Sequence, residues 1–170
     1  SPLTRAARTP SVLPSGCGAP PAQSLTHLAD ESAHMGIALR CATVLGLATY
    51  VLGFHVSRVR IRTKRGAGDG DGPKDELRIA VRAFGNHVEY AGIIIAQLLY
   101  IELRMAHLNE PTPRWANWLM VLLTASRLAA AAGLATSDDL RRPTLLRRIG
   151  ALGTYVIGPA LTAGAALIDE

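Results

Sequence analysis

The apolar residues of this chain fall into four long blocks that are separated by polar segments. The blocks cover approximately residues 35–56, 77–105, 115–134 and 149–168. Each is about as long as the ~20 residues that a helix needs to cross a bilayer. Their residues do not show the amphipathic periodicity of a soluble core. The pattern predicts an all-α integral membrane protein whose four spans form a helix bundle.

Composition agrees with this interpretation and sets the domain organisation. The chain of 170 residues is 49% hydrophobic and only 18% charged, whereas soluble domains carry about 25% charged residues. Its length suits one domain. We therefore assign residues 34–170 to a membrane domain and residues 1–33 to an extended, proline-rich N-terminal tail.

The tail has the composition of an organellar targeting region. It begins at Ser1, contains arginines and serines, and has no acidic residue before Asp30. This composition favours a processed protein of a mitochondrial inner or plastid membrane. The prolines predict that the tail runs extended along a surface or a partner, although an ordinary disordered tail has a similar composition.

The sequence offers no metal site. The loop GAGDGDGPKDE lacks the alternating oxygen ligands and the correctly spaced glutamate of a calcium loop, so we interpret it as a flexible turn. Cys17 and Cys41 match no metal or redox spacing. A disulfide between them is one interpretation, and two unrelated thiols is the one we favour.

The net charge of +5 is distributed as in an oriented membrane protein. Basic residues concentrate in the first and third loops, which by the positive-inside rule face the cytosol, matrix or stroma. Both termini then lie on the opposite side. Because these arginines stand between apolar blocks, we expect no nucleic-acid partner. The residues concerned are Arg58, Arg60, Arg62, Lys64, Arg65, Lys74, Arg141, Arg142, Arg147 and Arg148.

The segment VRAFGNHVEY, at the start of the second span, carries the main candidate chemistry. Arg82, Asn86 and Glu89 share one helix face by their spacing. Polar groups near a membrane helix are costly unless they have partners or a function. His87 points elsewhere, and we expect it at the membrane interface rather than in catalysis.

Two interpretations of this polar face remain open. In the one favoured by spacing alone, Arg82 pairs with Glu89, and Arg127 of the third span pairs with Glu89 or with backbone carbonyls, to hold the bundle together. In the other, arginines from several helices bind an anionic ligand such as a small zwitterionic peptide. An arginine beside a thiol would also lower the thiol pKa.

Several segments in this order resemble the MAPEG family, the membrane-associated proteins of eicosanoid and glutathione metabolism, especially its bacterial-type branch. The segments are RVRIRTK, GDGDG, RAFGNHVEYA, ASRLAAAAGL and RRIGALGT, and the resemblance runs from about Gly46 to Ile168. It implies a four-helix bundle that usually assembles as a trimer. In active relatives, glutathione lies between subunits on the positive side.

The resemblance also implies roles for individual residues. The glutathione ligands would be Arg60, Arg82, Asn86, Glu89 and Tyr90, and the arginine that activates the thiol would be Arg147 or Arg148.

This sequence also departs from the family pattern. Active relatives usually have a histidine or tyrosine where this chain has Ala130, and often a tyrosine where it has Leu134. A proline usually follows the glutamate–tyrosine pair, where this chain has Ala91 and Gly92. The ligand pocket therefore looks incomplete.

These observations lead to two functional hypotheses. The favoured one is a non-catalytic accessory subunit of an organellar energy-transducing complex, respiratory or photosynthetic, whose partners are the lipid bilayer and the other subunits. The alternative is a glutathione-dependent transferase or peroxidase that associates with itself as a homotrimer.

Overall fold

A computed structural model describes residues 36–168, and within that range the chain forms four α-helices and no strand. We number the helices α1 to α4 in chain order, and their bounds are given at the end of this paragraph. This confirms the all-α bundle, while the tail and Cys17 lie outside the described residues. The helices are Ile37–Thr63, Glu76–His107, Arg114–Ala135 and Leu145–Leu167.

Three of these helices, α1, α3 and α4, are long and apolar enough to cross a membrane. Helix α2 is the longest, with 32 residues. Its first half is more polar than its second half. The first half contains the VRAFGNHVEY segment. The polar face expected from the sequence thus begins the second helix of the bundle.

Helix α1 continues past its apolar block and ends at Thr63. Arg58, Arg60 and Arg62 therefore lie on its last turns, and not in the first loop as their charge predicts. Arginine is a good helix former, and cations are favourable at a helix C-terminus. The helix ends where Lys64 adopts a left-handed conformation with φ of 55°.

The helices pack unequally around α3. Helix α3 contacts the other three helices, α1 packs mainly on α2, and α2 touches α4 along a narrow seam. Among the four described helices, α1 and α4 are the pair without contact. The main apolar core, which includes the fully buried Leu45, Leu98, Met120 and Leu161, lies in the half of the bundle away from the basic loops.

Helices α3 and α4 approach each other so closely that glycine is required at the crossing. A Cβ atom on Gly150 would lie 2.6 Å from the carbonyl oxygen of Ser126 and 2.8 Å from Cα of Ala130. Near the helix ends, Thr144 caps α4 and donates a hydrogen bond of 3.1 Å to the carbonyl of Gly133. The small residues of the fourth span therefore permit the tight packing that the sequence predicted.

The first and third loops meet at the basic end of the bundle. The amide of Leu140 donates a hydrogen bond of 2.9 Å to the carbonyl of Pro73. The carboxylate of Asp75 caps α2 by accepting hydrogen bonds of 2.9 Å from the amide of Leu77 and 3.0 Å from the amide of Asp71. It also pairs with Arg65. The backbone of the first loop is thus fixed to the start of α2.

This cap predicts a dependence of stability on pH. The hydrogen bond from the amide of Asp71, and then that from Arg65, lower the pKa of Asp75 from 3.8 to about 2. Because the folded pKa lies below the unfolded value, the stabilisation is complete above pH 3.8 and is lost as pH falls through about 2. We expect hydrogen exchange at the Leu77 amide to accelerate over this interval.

The Asp75→Asn variant is the test of this assignment. It should exchange faster at neutral pH and lose the pH-dependent step, whereas Asp69→Asn should retain it. An unchanged step in Asp75→Asn would assign the transition to another group.

Candidate functional site

A buried arginine lies at the centre of the bundle's polar chemistry. Arg127, on α3, is only 2% exposed. A guanidinium at membrane depth is costly unless hydrogen bonds or aromatic contacts compensate it. Its Nη2 donates a hydrogen bond to Oδ1 of Asn86, and its Cζ lies 5.0 Å from the ring centroid of Tyr90. Helix α2 thus supplies both partners of this cation.

Helix α4 completes the arrangement through Tyr155. The hydroxyls of Tyr90 and Tyr155 lie 3.2 Å apart, and their rings meet edge to face with centroids 5.9 Å apart. We call Asn86, Tyr90, Arg127 and Tyr155 the Arg127 cluster. The cluster links α2 to α3 and to α4.

A second polar pair follows along the same seam. Gln97 Nε2 donates a hydrogen bond of 2.6 Å to Thr162 Oγ1. Tyr90 and Gln97 are seven residues apart, as are Tyr155 and Thr162, so each pair of residues lies on one helix face. Two side-chain hydrogen bonds, Tyr90–Tyr155 and Gln97–Thr162, therefore cross the seam.

Arg127 of this cluster, and Thr124 one turn before it on α3, retain unused donor groups. In the described part of the chain, Nε of Arg127 and Oγ1 of Thr124 are buried without a hydrogen-bond partner. No carboxylate of residues 36–168 forms an ion pair with Arg127. A buried cation with a free N–H group attracts anions, and a carboxylate or a thiolate has the chemistry to bind it.

The structure distributes the residues expected from VRAFGNHVEY over two surfaces of α2. Asn86 and Tyr90 belong to the Arg127 cluster, whereas Arg82 and Glu89 are exposed. Within residues 36–168, neither Arg82 nor Arg127 pairs with Glu89. The predicted ion pairs with Glu89 were therefore wrong. Arg127 instead donates a hydrogen bond to the side-chain amide oxygen of Asn86.

The other predicted arginines are held by their own loops. Arg60 donates hydrogen bonds of 3.2 Å to the carbonyls of both Gly66 and Gly68. Arg147 is half-buried and donates a hydrogen bond of 3.2 Å to the carbonyl of Leu140, while Arg148 is exposed. No hydrogen bond or ion pair joins these three side chains to the Arg127 cluster in the described range. Their roles in ligand binding and thiol activation remain predictions.

The two positions at which α3 departs from the family pattern are buried in the bundle. Ala130 and Leu134 are 3% and 4% exposed. Ala130 faces Gly150, because a Cβ atom at Gly150 would collide with its backbone. A tyrosine or histidine at position 130 would have to fit into this crossing. The small side chain therefore matches the close approach of α4.

The prediction for His87 was wrong as well, and one residue was missed. His87 is fully buried rather than interfacial, and its Nε2 lies 3.2 Å from the carbonyl oxygen of Leu45. Tyr155 was not singled out, although its seven-residue spacing from Thr162 parallels that of Tyr90 and Gln97. That matching spacing was the available signal.

The fold and the site together define this protein as a polytopic helical membrane protein. Within residues 36–168, a single buried arginine, Arg127, lies at the centre of its polar site. The sequence model of the MAPEG family matches residues 38–167, which is most of the chain. The chain therefore belongs to the MAPEG family. Searches of curated proteins and of solved structures gave no match.

Proposed function

We propose that this MAPEG-family protein is a non-catalytic accessory subunit of a membrane complex. The observation that carries the proposal is that polar side chains of the family's ligand set are bonded within the chain. Asn86 binds Arg127, and Arg60 binds the carbonyls of its own loop. A ligand that used these groups would first have to replace those bonds.

The packing of α3 supports the same function. Ala130 and Leu134 are buried side chains without hydrogen-bonding groups, and the α3–α4 crossing fits the small residue at position 130. Arg147, one of the two candidates for thiol activation, is bonded to the carbonyl of Leu140. These residues stabilise the bundle, whereas Arg82, Glu89 and Arg148 of the expected ligand set stay exposed.

The composition of the N-terminal tail supports an organellar host complex. A tail rich in proline and arginine, with no acidic residue before Asp30, suits an organellar protein that contacts neighbouring subunits. The host in this proposal is an energy-transducing complex of a mitochondrial inner or plastid membrane, respiratory or photosynthetic.

A second function is favoured by one specific observation, the unpaired Nε of the buried Arg127. In a glutathione-dependent transferase or peroxidase, this cation would hold a carboxylate or the thiolate of the peptide. The hydroxyls of Tyr90 and Tyr155 would offer further hydrogen bonds. Arg127 then replaces Arg147 and Arg148 as the residue nearest the bound anion.

Activity measurements separate the two functions. We expect the full chain, purified in detergent, to conjugate glutathione to chlorodinitrobenzene and to reduce cumene hydroperoxide no faster than its Arg127→Met variant. We also expect it to migrate in native gels of its source membrane with a larger complex. Conjugation that is abolished by Arg127→Met but kept by Gln97→Ala, together with migration as a homotrimer, would establish the enzyme instead.

A further inference from the structure

A polar cavity lies at the basic end of the bundle, away from the α2–α4 seam. It has a volume of about 370 Å³, within the range of small-ligand pockets. Its walls come from α1, from the start of α2, from the end of α3 and from the first and third loops. Helix α4 and the Arg127 cluster take no part in it. The cavity is thus separate from the candidate site described above.

The cavity presents one free charge of each sign. Lys74 and Asp138 both line it, and neither side chain has an ion-pair or hydrogen-bond partner within residues 36–168. Glu76 also lines it, but its carboxylate pairs with Arg62 of α1. The cavity therefore offers an ammonium and a carboxylate that are both available to a ligand. A zwitterion with a phosphate and an ammonium group complements this pair.

The depth of the cavity indicates a lipid as the source of that zwitterion. His55 lines the cavity and lies on α1 about two turns, roughly 12 Å, before Thr63. Ile79 and Ala135 add apolar wall. The cavity thus extends from the level of the loops to the edge of the apolar spans. Exposed arginines at this end attract lipid phosphates to the same layer.

We propose that this cavity binds the headgroup of a phosphatidylethanolamine-type lipid, with the phosphate at Lys74 and the primary ammonium at Asp138. A primary ammonium donates hydrogen bonds to a carboxylate, whereas the quaternary ammonium of phosphatidylcholine has no N–H group to donate. The cavity should therefore discriminate between two lipids of equal net charge. This inference does not depend on whether the chain is catalytic.

Native mass spectrometry of the full chain in detergent tests the proposal. With identical acyl chains, we expect phosphatidylethanolamine to bind about five- to tenfold more tightly than phosphatidylcholine, the ratio that the net contribution of one solvent-exposed hydrogen bond supplies. Asp138→Asn should remove the preference, and Lys74→Gln should weaken both lipids. Asp69→Asn and Lys64→Gln make the same charge changes at the same end of the bundle and should leave both affinities unchanged. Unaltered helical circular dichroism confirms that each variant is folded.

Three results would overturn the proposal. Equal binding of the two lipids would show that the ammonium is not recognised. Tight binding of phosphatidylglycerol that survives Asp138→Asn would indicate general attraction by the basic loops. Competition by soluble phosphoethanolamine at the same concentration as the lipid would assign the cavity to a soluble ligand.

Discussion

Replacing Gly150 with alanine is expected to lower the free energy of unfolding by about 1 to 3 kcal/mol, the usual cost of overpacking a close contact. The added Cβ would meet backbone atoms of α3, namely the carbonyl oxygen of Ser126 at 2.6 Å and Cα of Ala130 at 2.8 Å. Backbone atoms cannot rotate away as a flexible side chain can, so α4 must shift as a whole. Denaturant unfolding in detergent micelles, followed by circular dichroism, measures the loss.

The matched control is Gly46→Ala in α1. No atom lies within 4 Å of a Cβ built on Gly46, and alanine favours a helix by about 1 kcal/mol over glycine. This variant should be as stable as the parent or slightly more stable. Equal losses at the two glycines would contradict the close crossing of α3 and α4.

Replacing Asn86 with alanine is expected to be costlier, at about 3 kcal/mol, because it removes the hydrogen-bond acceptor of a buried cation. Arg127 is 2% exposed and has no carboxylate partner in the described range. The cost therefore arises mainly from the guanidinium that is left behind. If so, Asn86→Ala should cost much less in a chain that already carries Arg127→Met.

A double-mutant cycle measures this coupling, which we expect to reach about 1 to 3 kcal/mol. Arg82→Ala serves as the control, because Arg82 is an exposed arginine on the same helix without an ion pair to Glu89. It should change stability by less than about 0.5 kcal/mol. Additive losses for Asn86→Ala and Arg127→Met would show that the two side chains act independently.

The sequence predicts the helices well because apolar length alone sets a membrane span. The blocks near residues 115–134 and 149–168 correspond to Arg114–Ala135 and Leu145–Leu167. The end of α1 was less predictable, since Arg58 and Arg62 were treated as loop charges although arginine is compatible with a helix. Polarity marks where a span leaves the membrane, and it does not mark where the helix stops.

The site was only half predictable for a related reason. Spacing within VRAFGNHVEY shows which residues share a face of α2, and it cannot show which helix faces them. The pairing of Asn86 with Arg127, and of Tyr90 with Tyr155, depends on how three helices are rotated and aligned. Ala130 illustrates the same limit, because its contact with Gly150 is visible only once α3 and α4 are packed.

The two hydrogen bonds across the α2–α4 seam also determine how α4 can move. Tyr90 bonds to Tyr155, and Gln97 bonds to Thr162. Both hydrogen bonds join residues that are 65 positions apart, so α2 and α4 run parallel. Sliding α4 by one turn would break both bonds at once. Axial translation of α4 is therefore opposed by both bonds together. Sideways separation of α4 from α2 would break the same two bonds, so one pair of contacts resists both movements.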